Sequence, residues 1–245
     1  MKIFAHRGFS GIAPENTMAA FEKALAIKPD GIETDVHLSK DGKVVICHDE
    51  TLDRTTNGKG LIKDYTFEQL QTFDAGSKFA PEFSRERIPT LEDLLRLIRQ
   101  TDLALNIELK TDKIAYLQIE AKVVALLKVY DLVERTIISS FNFSSIAKVK
   151  KLLPEISIAA LMKDPHTISD LWTRMAELKV VAIHPDHKYL DHDLVDAAQK
   201  RGILINAWTP NQPEELQRCF KLQINGVITN FPDIARQLLS KSNGD

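Results

Sequence analysis

The sequence predicts an α/β fold, a (β/α)8 TIM barrel, and three observations carry that prediction. Short apolar runs alternate with longer amphipathic segments along the chain. Nine such runs occur, one too many for eight parallel strands, and a tight Asp41-Gly42 turn removes the surplus. Polar and ionisable residues gather at the C-terminal ends of the runs, where barrels of this kind carry their chemistry, while the run interiors stay apolar.

Taken in order, the first run is Lys2–Ala5, followed by a segment near residues 16–28 whose Met18, Phe21 and Leu25 repeat at helical spacing. Gly31–Val36 and Val44–Cys47 come next, joined through Ser39-Lys40-Asp41-Gly42. A parallel crossover needs a dozen or more residues, so Val44–Cys47 must return antiparallel as a hairpin, outside the barrel count. Residues from about 49 to 89 break the rhythm. They are polar, contain an Asn57-Gly58 turn and one short helical candidate at Thr66–Phe73, and are expected to form a small insertion capping one end of the barrel.

The rhythm then resumes. Thr90 before Leu91-Glu92-Asp93 signals a helix over 91–100, and Leu103–Leu109 is the next strand. Helical segments near 112–130, 143–153, 167–178, 191–201, 212–222 and 232–240 separate strands at Thr136–Ser140, Ser157–Met162, Val180–Ile183, Gly202–Ala207 and Gly226–Thr229. Asn142 and Pro213-Glu214-Glu215 mark two of the helix starts. Repeated strand–helix units read as a parallel sheet covered by helices. The terminal Ser242-Asn243-Gly244-Asp245 is expected to fray.

Composition narrows the class. At 245 residues with 44% hydrophobic and 27% charged residues, the chain has the make-up of a globular enzyme. A net charge of −2 gives no footprint for nucleic acid or an anionic membrane surface. No apolar stretch is long enough to span a bilayer, and no basic amphipathic helix suggests stable membrane association. The first motif begins at Phe4, so no cleaved signal peptide is expected. Cys47 and Cys219 form neither a disulfide framework nor a zinc spacing, and a cytoplasmic setting is expected. Homo-oligomerisation is compatible with the composition and not specified by it.

The chemistry gathers at the strand ends. Glu33 and Asp35 stand two positions apart, so both point to one side of their strand, and Glu108 and Lys110 repeat the spacing on the next parallel strand. A like-charged pair about 4 Å apart costs roughly 4 kcal/mol at an effective dielectric near 20. A divalent cation would remove that penalty, and all-oxygen ligation suits Mg²⁺ or Ca²⁺ rather than zinc. The alternative is an ion network of the same acids with Arg7 and Lys110. His6 and His48 end apolar runs beside these acids and are candidates for acid and base. Arg7 offers a planar fork for a phosphate and Lys110 a point charge. His37, His166, His184, His187 and His192 are expected at the surface or behind the site, His184 standing apart because it ends a strand.

The ordered series His6-Arg7-Gly8, Pro14-Glu15-Asn16-Thr17, Glu33-Thr34-Asp35-Val36, His48-Asp49, Leu52-Asp53-Arg54-Thr55-Thr56, Asn106-Ile107-Glu108-Leu109-Lys110, Ser140-Phe141, Ala207-Trp208-Thr209 and Gly226-Val227-Ile228-Thr229-Asn230 resembles the glycerophosphodiester phosphodiesterase family. It runs from residue 4 to about residue 233 and includes the insertion, so the resemblance implies one domain over residues 1–245. It implies hydrolysis of a small glycerophosphodiester to sn-glycerol 3-phosphate and an alcohol, with one divalent cation. It assigns metal ligation to Glu33, Asp35 and Glu108, acid/base roles to His6 and His48, and phosphate contacts to Arg7 and Lys110. Phe141 and Trp208 would form an apolar wall against the glycerol or the leaving group. Asn16 fits a helix start at least as well as a ligand contact. Pro210 stands where the family often has valine, and Asn230 where it often has aspartate.

Two other classes fit less well. A zinc-type barrel hydrolase usually carries His-x-His on its first strand, whereas His6 is followed by Arg7-Gly8. A non-catalytic barrel binding phosphorylated polyols would account for Arg7, Lys110 and Trp208, but not for two histidines beside three carboxylates. A phospholipase-type phosphodiesterase is a closer variant of the main reading.

Overall fold

The computed structural model describes residues 1–242; of the end expected to fray, Ser242 closes the last helix and residues 243–245 lie outside the described residues. Nine strands are present among the described residues: β1 (Lys2–His6), β2 (Gly31–Leu38), β3 (Val44–Ile46), β4 (Ala104–Leu109), β5 (Thr136–Ser140), β6 (Ser157–Met162), β7 (Ala182–Pro185), β8 (Leu204–Trp208) and β9 (Gly226–Thr229). Eight are mutually parallel in the order β1-β9-β8-β7-β6-β5-β4-β2, and pairing of β1 with β2 closes the barrel. The ninth, β3, pairs antiparallel with β2, Val36 facing Ile46. The hairpin inferred from the Asp41-Gly42 turn is therefore present. Gly42 takes φ +77° there, a left-handed conformation that costs glycine nothing.

Helices fill the crossovers: α1 (Met18–Ile27), α2 (Phe67–Leu70), α3 (Leu91–Ile98), α4 (Ile119–Tyr130), α5 (Phe143–Leu152), α6 (Leu171–Leu178), α7 (His192–Gln199), α8 (Pro213–Lys221) and α9 (Pro232–Ser242). Their starts follow side-chain chemistry. Thr17 caps α1 by accepting from the Ala20 amide, and Thr90 with Asp93 forms a reciprocal capping box on α3. The greatest departure from the expected elements is α4, which begins at Ile119 rather than near 112. Gln118 adopts φ +64°, breaking the helical path, so residues 110–118 form a loop. β2 runs two residues past the expected Val36, because it continues beyond the barrel as the outgoing arm of the hairpin.

Two apolar clusters result. The larger lies between sheet and helices and includes Ile32, Val36, Ile46, Ile107 and Ile138. The smaller joins Val45 and Cys47 of the hairpin arm to Leu52, Ile62, Leu70, Ala75 and Ile88 of the insertion. Alternation along β3 therefore sends Val44 and Ile46 into the barrel's cluster and Val45 into the insertion's.

Candidate active site

Strand register assembles the acids. His6 faces Glu33 across β1 and β2, and Asp35 faces Glu108 across β2 and β4. Glu33, Asp35 and Glu108 are all buried, and one carboxylate oxygen from each lies within 4.8 Å of the others. Burial and the Asp35 charge raise Glu33 well above the ordinary carboxylate range, and burial brings Glu108 up to about 7 against the pull of Lys110. Burial acts in the same sense on Asp35, but Arg7 and Lys110 outweigh it and hold that carboxyl low.

The ion network weighed as an alternative is also present. Lys110 Nζ donates to Glu108 Oε1 at 2.8 Å and lies 3.7 Å from Asp35 Oδ1, and Arg7 Nε lies 3.4 Å from Asp35 Oδ2. Even so, Asp35 Oδ1 and Arg7 Nε are buried with no hydrogen-bond partner. The cations therefore leave a carboxylate oxygen unsatisfied inside an all-oxygen cluster. Such a set fits a hard divalent cation.

The His6-Arg7-Gly8 turn sets the first strand's contribution. Arg7 adopts φ +54° and Gly8 φ +79°, and a Cβ on Gly8 would come within 2.7 Å of the Ala20 backbone. Only glycine lets α1 approach so closely. The turn sends the Arg7 amide to Glu33 Oε2 at 2.9 Å and its guanidinium to Glu15 Oε1 at 2.7 Å.

The histidines are held by their Nδ1 atoms. His6 Nδ1 sits 2.6 Å from Asn230 Oδ1, an acceptor, so Nδ1 carries the hydrogen and Nε2, 3.9 Å from Glu33, is free. Burial, reinforced by Arg7, lowers His6 to about 3. His48 Nδ1 lies 2.6 Å from Asp49 Oδ1. Burial lowers His48 as well, with the Asp49 bond opposing it. Arg54, from the insertion, bonds both oxygens of Asp49 at 2.7 and 3.0 Å and both oxygens of Glu15 at 2.7 Å. A chain of charges thus runs from Arg7 through Glu15, Arg54 and Asp49 to His48.

His6, Arg7, Glu33, His48, Glu108, Phe141 and Trp208 line a single cavity of about 210 Å³ together with Asn106, Leu161, Thr209 and Ile228. Phe141 and Trp208 meet edge to face with ring centres 5.9 Å apart, and Trp208 Nε1 donates to the His184 carbonyl. Asp35 and Lys110 stand at its margin, joined to the lining through Glu108 and Arg7. Asn16 is not the helix start: Thr17 caps α1, while Asn16 donates to Asp35 Oδ2 at 2.9 Å and accepts from Thr34. His166 and His192 are exposed, but His37, His184 and His187 are buried. Glu15, Asp49, Arg54 and Asn230 had no assigned role, and their only signal was membership in the motifs around His6, His48 and the last strand. Among the described residues no helix is long and apolar enough to cross a membrane.

Comparison with known proteins agrees with this geometry. Residues 6–234 match the model of the glycerophosphoryl diester phosphodiesterase family. A glycerophosphodiester phosphodiesterase of Caldanaerobacter subterraneus subsp. tengcongensis is 41% identical over 239 residues, covering 98% of each chain. One from Bacillus altitudinis is 41% identical over 237 residues, covering 96% of each. An Oleispira antarctica phosphodiesterase, solved in complex with the product sn-glycerol-3-phosphate, superposes with a TM-score of 0.92 at 32% identity, over 98% of this chain and 97% of that one.

Proposed function

Because the chain belongs to the glycerophosphoryl diester phosphodiesterase family, we propose that it hydrolyses small glycerophosphodiesters to sn-glycerol 3-phosphate and an alcohol, with one divalent cation and two histidines. The observation that carries this is the pairing of two oriented imidazoles, His6 and His48, with three buried carboxylates around one cavity. Glu33, Asp35 and Glu108 would hold Mg²⁺ or Ca²⁺. When bound, that ion supplies Lewis-acid polarisation of the phosphoryl oxygens.

The protein's own groups do the rest. Arg7 presents a guanidinium to the non-bridging oxygens, and Lys110 adds positive potential beside it. Phe141 and Trp208 exclude water from the glycerol or leaving-group side. His6, backed by a neutral amide and lying beside Arg7, rests unprotonated and takes the proton from the nucleophile, either water or the neighbouring glycerol hydroxyl. His48, backed by the Asp49 carboxylate, which opposes the lowering by burial, is the group that passes a proton to the leaving alkoxide.

Residues 1–245 are taken as one domain in which the insertion at about 49–89 supplies Arg54 to the site. Cys47 and Cys219 are both free and buried, which supports a cytoplasmic setting for the protein.

A coupled assay of glycerol 3-phosphate release from glycerophosphocholine, glycerophosphoethanolamine and a lysophospholipid tests the function. Activity should be abolished by EDTA and restored by Mg²⁺ or Ca²⁺. His6→Ala and His48→Ala should each lower turnover by about two to four powers of ten. Near wild-type turnover in either variant, or indifference to chelation, sinks the mechanism.

A further inference from the structure

The hairpin that delivers His48 ends one residue too early to hold it. The last ladder bond joins the Cys47 amide to the Asp35 carbonyl at 3.1 Å, and beyond it β2 has turned into the barrel wall. His48 therefore has no strand partner. Its imidazole is bonded by Asp49, itself held by Arg54, but that contact is made to the ring and not to the His48 backbone.

His37 supplies the missing backbone contact. It lies two positions after Asp35 on β2, on the same side of the strand, but in the segment that pairs with β3 of the hairpin. His37 Nε2 lies 3.3 Å from the carbonyl oxygen of His48, and Nδ1 lies 2.9 Å from the Tyr116 hydroxyl. A carbonyl can only accept, so Nε2 carries the hydrogen; in the neutral ring Nδ1 then accepts from Tyr116. Both residues are buried, and their rings meet edge to face at 5.6 Å. Tyr116 belongs to the 110–118 loop that starts at Lys110. The same loop makes a second contact with the His48 arm, where Lys113 pairs with Glu50 at 3.2 Å.

We infer that His37 and Tyr116 are positioning residues for the reaction: a strut running from the loop after β4 through the His37 ring to the His48 backbone, which holds the proton donor at a fixed distance from the acids on β2 and β4. The inference rests on the acid/base role proposed for His48. Its chemistry is specific, because the strut needs a side chain that donates at one end and accepts at the other. Glutamine can do both; methionine fills similar space and can do neither.

Steady-state kinetics of H37M, H37Q, Y116F and H48A on glycerophosphocholine, with calorimetric binding of sn-glycerol 3-phosphate, tests it. A displacement of about 1 Å in a catalytic group can cost about 100-fold. H37M should lose about 10- to 100-fold in kcat with KM and product affinity nearly unchanged. Y116F should lose less, and H37Q should restore most of the loss. If H37M fails to fold, Y116F and H37Q carry the test.

Wild-type kcat in Y116F together with H37M (or, where H37M does not fold, in Y116F alone) overturns the strut while an inactive H48A leaves the acid/base reading intact. A loss of product affinity parallel to kcat also overturns it, since His37 would then be holding the binding site as a whole. So does an H37Q variant as impaired as H37M. An active H48A overturns the acid/base reading itself.

Discussion

Arg54 and Glu15, 39 positions apart in sequence, meet in a two-pronged ion pair in which both carboxylate oxygens accept at 2.7 Å. One partner comes from the insertion and the other from the loop after β1. Through Asp49 and Arg7 the pair links both arms of the site. Arg54→Lys keeps the charge but not the fork, so it cannot serve Glu15 and Asp49 together. Both R54K and R54A should lower kcat by about 10-fold or more, with R54K recovering little. Kinetics of R54K at the wild-type rate would show that only the charge matters.

Asn230 gives His6 a neutral partner. Replacing it with aspartate places a carboxylate against Nδ1, and such a neighbour raises a histidine's pKa by about one to three units. In N230D the acidic limb of the kcat/KM profile should therefore move to higher pH, because the base is protonated over a wider range. An unmoved limb would show that some other group is the titrating base.

In the proposed cation site Glu108 would couple binding to pH. Burial raises it to about 7, and only the carboxylate can ligate. Below about pH 7 protons on Glu108 compete with the cation, so Mg²⁺ or Ca²⁺ affinity should rise with pH through that range, and the raised Glu33 adds to the rise. Titration calorimetry in buffers of different ionisation enthalpy would register the released proton. In E108Q affinity should fall by about 100-fold or more, beyond the 10- to 100-fold typical of losing an outer-shell partner. Equal affinities at about pH 6 and pH 8 would contradict the coupling.

His184 contributes to acid sensitivity. It is buried inside the barrel, accepts from Asn206 at Nε2, and is lowered by burial to about 3 from an unfolded value near 6.5. Between those values the unfolded chain binds a proton that the folded one refuses. Its contribution to stability is complete above about pH 6.5 and is lost as pH falls toward 3, by about 1.4 kcal/mol per unit. His6 and His37 are lowered in the same way and add slopes of the same sign. Urea unfolding of H184Q between about pH 4 and 6 should show a slope shallower by about one proton. Superimposable slopes would place His184 outside the titration.

The barrel, its hairpin and the strand-end acids were legible because each rests on local rules: alternation, spacing of two, and a short Asp-Gly turn that forbids a crossover. Glu33 with Asp35 and Glu108 with Lys110 needed only strand parity to converge. The support around them was not legible, since it depends on contacts between distant segments. Arg54 reaching Glu15 from the insertion, Asn230 closing on His6 from the last strand, and His37 bonding the backbone of His48 leave no periodic trace. The late start of α4 was hidden for the opposite reason. Helical spacing continued into residues 112–118, and the left-handed Gln118 that ends it has no compositional mark.

The small cluster under the insertion has a consequence for how activity is lost. Leu52, Ile62 and Leu70 are fully buried there, worth about 1.5–3 kcal/mol each, and they pack on the hairpin arm without joining the larger cluster. Such a unit can open on its own while the barrel stays folded. Opening would release Arg54 and slacken the His48 arm, leaving the carboxylates in place. Denaturation should then pass through a chain that has kept its barrel and its acid cluster but cannot move a proton, with turnover failing at lower urea than the circular dichroism of the helices. Amide exchange over residues 47–90 should report the same event before that of the central strands.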